Sequence, residues 1–131
     1  MDAEEPASVA LKGLRVLIVE DEPLLAMCLA DVIETEGGVV VATARNVAQA
    51  ESLVKTESFD VALLDLSLHG KPVGSIAAAI IDRGCAIVFS SGSRVSDVLT
   101  AHPNWPVLFK PYKDEEMLAA LIAVKLRLDL S

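Results

Sequence analysis

Val16-Leu17-Ile18-Val19-Glu20-Asp21-Glu22-Pro23 is the stretch that decides how the chain is read. Four consecutive apolar, mostly β-branched residues are what a strand buried on both faces requires. Three acids follow at once. Pro23 suits the first turn of a helix, where its missing N–H would have no partner anyway. Leu24, Leu25, Cys28, Leu29, Val32 and Ile33 then repeat at helical spacing until Gly37-Gly38 stops the pattern. The octapeptide therefore joins a buried strand to a helix through a turn of carboxylates.

The same unit recurs four times downstream. Residues 39–43 read as a strand followed by a helix over 46–57. Val61-Ala62-Leu63-Leu64 is the third strand, with a helix over 74–83. Ala86-Ile87-Val88-Phe89 is the fourth, with only a weak helix over 94–101. Val107-Leu108-Phe109 is the fifth, followed by a helix over 114–128. Five β-α units predict an α/β domain, a five-stranded parallel sheet with helices on both faces. Residues 1–12 read as a flexible leader and 13–131 as the domain. No internal repeat or low-complexity tract interrupts this order.

Composition narrows the function classes. At about 100–200 residues per domain, 131 residues suit one compact unit, with no room expected for a separate effector domain. The chain is 53% hydrophobic but only 4% aromatic, so the core is expected to consist of Val, Leu, Ile and Ala. The net charge of −8 argues against a nucleic-acid binder, whose affinity comes from basic side chains. Thirteen of the 19 acidic side chains fall within residues 1–65, so the excess is concentrated in one half. Cys28 and Cys85 lie in apolar stretches and read as reduced core thiols rather than a disulfide. The N-terminus lacks a signal-peptide pattern, and no run approaches the ~20 apolar residues of a membrane span. A soluble, cytoplasmic protein is expected.

In parallel sheets of this kind, ligands bind beyond the carboxyl ends of the strands. The residues there are Glu20, Asp21 and Glu22 after strand one, Asp65 after strand three, Ser90 and Ser91 after strand four, and Lys110-Pro111 after strand five. Each has a plain structural reading. Asp21 could cap the first helix, Asp65 and Ser91-Gly92 could belong to turns, and Lys110 could be a solvated charge. Taken together they suggest more. With strands one and three adjacent, Glu20, Asp21 and Asp65 would share one cleft, and carboxylates at ~4 Å repel by about 1 kcal/mol even in water. A hard divalent cation such as Mg²⁺ suits this all-oxygen set. Lys110 and Ser91 would supply a cation and a donor beside Asp65. That arrangement fits phosphoryl transfer, with Asp65 attacking in line.

These residues resemble the receiver domain of bacterial two-component response regulators over residues 14–128. The matching segments are Glu20-Asp21-Glu22-Pro23, residues 60–70 around Asp65, Ser91-Gly92 and Lys110-Pro111. The resemblance implies a CheY-like, flavodoxin-like (βα)5 fold with strand order 2-1-3-4-5. It implies that Asp65 accepts phosphate from a histidine kinase or phosphotransfer protein. It further implies that Asp21 holds Mg²⁺ directly, that Glu20 acts largely through water, and that the Ser67 backbone carbonyl is another ligand. Ser91 would move toward the phosphoryl group, Lys110 would pair with it, and the Lys110-Pro111 bond would be cis.

One position departs from the family. Three residues before the lysine, where receivers usually carry a switching Tyr or Phe, this chain has Val107. Phe89-Ser90-Ser91-Gly92 and residues 106–112 are closer to a subgroup with Phe-Ala-Thr-Gly and Pro-Val-Leu-x-Lys-Pro signatures, whose members often stand alone.

On the last helix, Met117, Leu118, Leu121, Val124 and Leu128 form a core face. Ile122, Leu126 and Leu130 form a second stripe. It reads either as a partner or homodimer surface, or as a helix end that frays or is covered by the leader. His69 and His102 read as loop residues.

The expected function is a phosphorylation-dependent signalling domain, not an enzyme, that works through contact with an output protein. A phosphate sink for a kinase is the alternative. An aspartate-nucleophile phosphatase would need a second Asp two residues after Asp65, where Ser67 stands. Flavodoxin-like and cobalamin-binding readings fail at the acidic first loop and at the position of His69.

Overall fold

The computed structural model describes residues 10–130. Its elements run β1 (Arg15–Val19), α1 (Pro23–Thr35), β2 (Val39–Ala44), α2 (Val47–Thr56), β3 (Val61–Asp65), α3 (Gly74–Asp82), β4 (Ala86–Ser91), α4 (Asp97–Ala101), β5 (Val107–Phe109) and α5 (Asp114–Asp129). A short 3₁₀ turn over Leu68–Gly70 follows β3. The strands pair in parallel in the order β2-β1-β3-β4-β5. This is the flavodoxin-like receiver fold expected above.

Period-two alternation sorts the strand residues between two cores. Val16, Ile18, Val61, Leu63, Ala86, Val88 and Leu108 pack with α1 and α5. Leu17, Val19, Ala62, Leu64, Ile87 and Phe89 pack with α2 and α3. The central strands are therefore apolar on both faces, which explains the uninterrupted runs.

The ends of the helices are chemically marked. Asn46 caps α2 by accepting the Gln49 N–H at 2.8 Å. In α5, Glu116 accepts the Lys113 N–H at 2.8 Å, and Asp114, Glu115 and Glu116 favour the positive end of the helix dipole. After α1, Gly38 has no room for a side chain, since a Cβ there would stand 2.7 Å from the Ile33 side chain.

Several expectations need correction. The leader boundary at residue 12 comes too late. Leu11 is fully buried, its N–H bonds to Glu36 O at 2.9 Å, and a turn over 10–13 is tied to the α1–β2 junction. Residues 1–9 of that leader lie outside the described residues. On α1 the buried residues are Ala26, Leu29 and Ile33, while Leu24 is exposed. Cys28 is exposed rather than a core thiol, because it lies on the outer side of that helix; Cys85 is half-buried and points its Sγ at Phe59 O, 3.2 Å away. Both thiols are free.

The second stripe on α5 is shorter than the spacing suggested. Ile122 packs against the α1/α5 core, whereas Leu126 and Leu130 are exposed. The weak helix after β4 contracts to five residues, capped by Ser96 and with no buried side chain.

Candidate functional site

The carboxyl ends of β1, β3 and β5 converge on one polar pocket. Glu20 and Asp65 are 2% and 1% exposed, although each carries a carboxylate. One ligand oxygen from each of Glu20, Asp21 and Asp65 lies within 4.8 Å of the others. The alternation that buries Ile18, Leu63 and Leu108 beneath α1 and α5 turns Glu20, Asp65 and Lys110 toward the same side.

Each acid is held by a backbone N–H. The Glu22 N–H donates to Glu20 Oε2 at 3.1 Å, the His69 N–H to Asp21 Oδ2 at 2.9 Å, and the Ser67 N–H to Asp65 Oδ1 at 2.9 Å. Asp21 therefore does not cap α1. The N-cap is Glu22, and its side chain makes no capping bond. His69 can reach Asp21 because its backbone takes φ +51°, a left-handed conformation within the 3₁₀ turn. The role of this backbone N–H was invisible in the sequence, where His69 read as an ordinary loop residue.

Lys110 closes the pocket. Its Nζ donates to Asp65 Oδ2 at 3.1 Å and lies 3.8 Å from Glu20 Oε1. The Lys110-Pro111 peptide is cis.

The electrostatics follow from burial. Desolvation, reinforced by the neighbouring Asp65 charge, pushes Glu20 up to about 7 despite the Glu22 N–H and Lys110. The His69 N–H holds Asp21 below the usual carboxylate range. Burial opposes the Lys110 charge, but the bond to Asp65 and the charges of Asp65 and Glu20 outweigh it, so its pKa is raised. One ammonium thus pairs with two of the three clustered carboxyl groups.

Ser91 sits on the other side of Asp65. The alternation turns it to the α2/α3 face, where its Oγ donates to Ser93 O at 2.6 Å and accepts the Ser93 N–H at 3.1 Å. Its backbone O accepts the Lys110 N–H at 2.8 Å, which ties the two strand ends together. A cavity of about 440 Å³ beside it is lined by Ser67, Ser91, Ser93 and Ser96 among others. The Ser67 carbonyl makes only a long 3.4 Å contact with the Gly70 N–H, leaving it able to accept further bonds. Val107 is half-buried, and the nearest aromatic on β5, Phe109, is covered by the Arg94 guanidinium 4.2 Å above its ring.

Fold and pocket together define a receiver, and the chain belongs to that family: the model of the response regulator receiver domain matches residues 16–122. It is similar to SdrG of Sphingomonas melonis Fr1, at 36% identity and a TM-score of 0.72, over 88% of this chain and 98% of that one. A response regulator from Burkholderia pseudomallei is 25% identical with a TM-score of 0.73, over 90% of this chain and 73% of that one. Its structure holds a phosphorylated aspartic acid, a calcium ion and citrate. The sensor protein TorS of Escherichia coli (strain K12) is 42% identical over 62 residues, which is 47% of this chain and 7% of TorS. The chain thus spans a small fraction of that relative's length. Among the described residues no helix is long and apolar enough to cross a membrane.

Proposed function

We propose that this receiver takes a phosphoryl group on Asp65 from a phosphohistidine of a kinase or phosphotransfer protein, with Mg²⁺ held by Glu20, Asp21, Asp65 and the Ser67 carbonyl. The observation that carries the reading is the Asp65 carboxylate, 1% exposed yet fixed between the Ser67 N–H and Lys110 in a three-acid cluster. The donor set suits the ion. It is all oxygen, with no sulfur or imidazole among the clustered atoms, and its charge exceeds what Lys110 neutralises. When bound, Mg²⁺ would neutralise phosphoryl oxygens and leave the transferring group less repelled by the acids.

The remaining chemistry belongs to the chain. Asp65 forms a P–O bond as the P–N bond of the donor breaks, and that electron pair returns to the imidazole, which takes up a proton from water. The Ser67 N–H orients the carboxylate beforehand. Lys110 moves its charge from the carboxylate to the new phosphoryl group. Ser91 leaves Ser93 to donate its hydroxyl to the phosphoryl oxygens, and the β4–α4 loop changes with it. Output is a change in affinity for a partner protein in the cytoplasm, with draining of phosphate from a kinase as the second use of the same chemistry. Ser67, at the second position after Asp65, offers no general acid for a phosphatase cycle.

The test is phosphate gain by the protein mixed with acetyl phosphate, with and without Mg²⁺. Gain that depends on Mg²⁺ supports the reading; equal gain in a chelator contradicts it. Leu126 and Leu130 form a smaller proposed surface for a second copy. Leu126→Glu is expected to lower any self-association in sedimentation while leaving the melting temperature within a degree or two, since an exposed substitution costs about 0.5 kcal/mol or less.

A further inference from the structure

Four side chains stand along one edge of the sheet on the α1/α5 side: Glu20, Asp65, Ser90 and Lys110. Each lies two residues beyond a core residue of that face, namely Ile18, Leu63, Val88 and Leu108. Asp65 and Ser90 are direct register partners on β3 and β4. Ser90 therefore fills the position between the carboxylate of Asp65 and the strand that delivers Lys110.

Ser90 is 2% exposed, and its Oγ has no hydrogen-bond partner. Tyr112 follows Lys110 by two residues and packs against the same core. Its hydroxyl oxygen is also buried and unpartnered. Among the described residues these two are the buried side-chain oxygens or nitrogens in that condition. They also stand close to the lysine and to each other: Tyr112 and Lys110 line one cavity, and burial raises the Tyr112 pKa while the Ser90 hydroxyl nearby opposes that rise.

Buried hydroxyls in native interiors are normally paired, so two adjacent orphans beside a charged site call for a physical reason. Lys110 supplies one. An ammonium carries three protons and no lone pair, while each hydroxyl oxygen can accept. In this structure Lys110 leans on Asp65 Oδ2. Once Asp65 carries a phosphoryl group as an acyl phosphate its carboxyl is no longer anionic, and Lys110 loses that charged inner acceptor. The hydroxyl of Tyr112, which lines a cavity together with Lys110, can replace it.

We propose that Ser90 and Tyr112 act together as positioning residues for Lys110. As the site is loaded, Tyr112 Oη accepts a hydrogen bond from the ammonium while the Tyr112 O–H donates one to Ser90 Oγ. This rests on the reading of Asp65 as phosphoacceptor. Neither residue is a catalytic residue, because each acts through Lys110. The pair steadies the ammonium from below while its outer protons face the phosphoryl oxygens.

The test follows phosphate gain from acetyl phosphate by intact mass across a Mg²⁺ series in wild type, Tyr112→Phe, Ser90→Ala and the double variant, with melting temperatures alongside. Tyr112→Phe keeps the ring and its packing. Each single variant is expected to lower the maximal rate roughly tenfold without changing the Mg²⁺ concentration for half-maximal rate, and the double variant to be no slower than either single. Wild-type rates in the single variants overturn the proposal. Additive losses, or losses that track weaker Mg²⁺ binding or lower melting temperature, overturn it too. Failure of wild type itself to gain phosphate overturns the Asp65 reading and this proposal with it; gain in wild type with no effect of Tyr112→Phe overturns only this one.

Discussion

Beyond β1 and β3 the three clustered acids are each held by a backbone N–H, whereas on β4 the serines turn away from the carboxylates or make no hydrogen bond, and Lys110 beyond β5 is the side chain that reaches across to them. Glu20, Asp21 and Asp65 are set by Glu22, His69 and Ser67. Ser91 instead turns to Ser93, Ser90 pairs with nothing, and α4 is a five-residue helix that buries no side chain. The difference assigns separate tasks to the two halves. The acid half is preorganised for chemistry, since fixed dipoles need not reorient during transfer. The other half has more freedom to rearrange, as an element that reports a change of state requires. Lys110 and the backbone bond from its N–H to Ser91 O connect them.

The largest effect should come from removing the link. Lys110→Ala is expected to slow phosphate gain about a hundredfold or more, the scale of losing one preorganised donor to developing negative charge. It should also lower the melting temperature, because Asp65 and Glu20 stay buried without a counter-charge. Equal rates in the variant and wild type would mean that the two halves are not joined through this residue.

The second effect is one of pH and concerns the acid half alone. The Glu20 carboxyl is raised from its ordinary value of 4.5 to about 7, chiefly by burial. A carboxyl whose folded pKa exceeds its unfolded one favours folding below the unfolded value, and that contribution is lost as pH rises toward the folded pKa. Metal-free protein should therefore lose stability between about pH 4.5 and 7 through this group. Mg²⁺ binding should show the opposite trend, weakening up to about tenfold per pH unit below 7 as protons compete for Glu20. Glu20→Gln is expected to flatten both dependences; calorimetric titrations at pH 5.5 and 7.5 check this.

A smaller effect belongs to the β4–β5 half. Ser91→Ala removes both side-chain bonds to Ser93, worth about 1 kcal/mol each at most. Amide exchange should accelerate over residues 93–101 while Mg²⁺ affinity stays unchanged. A change in Mg²⁺ affinity instead would show that the two halves are not separable.

How much of this could be read from the sequence follows the same division. The strands were legible because burial on both faces writes itself as unbroken runs such as Val61-Ala62-Leu63-Leu64. Glu20, Asp21, Asp65 and Lys110 were legible because acids and a lysine directly after such runs stand out. Other features depend on groups that a sequence does not display. The clamp on Asp21 is a backbone N–H, made available by the left-handed conformation of His69. Leu11 was assigned to the leader because no periodic pattern surrounds it, yet tertiary packing buries it completely. Ile122 and Cys28 were misplaced because helical spacing states which residues share a face but not which face meets the sheet. Ser90 and Tyr112 lay within motif segments, but nothing in the sequence showed that their hydroxyls would be buried without partners.

Intact mass reads directly whether Asp65 is the phosphoacceptor. Wild type and Asp65→Asn are each incubated with Mg²⁺ and acetyl phosphate. One added phosphoryl group is expected in wild type and none in Asp65→Asn; the same gain in both would contradict Asp65 as the acceptor.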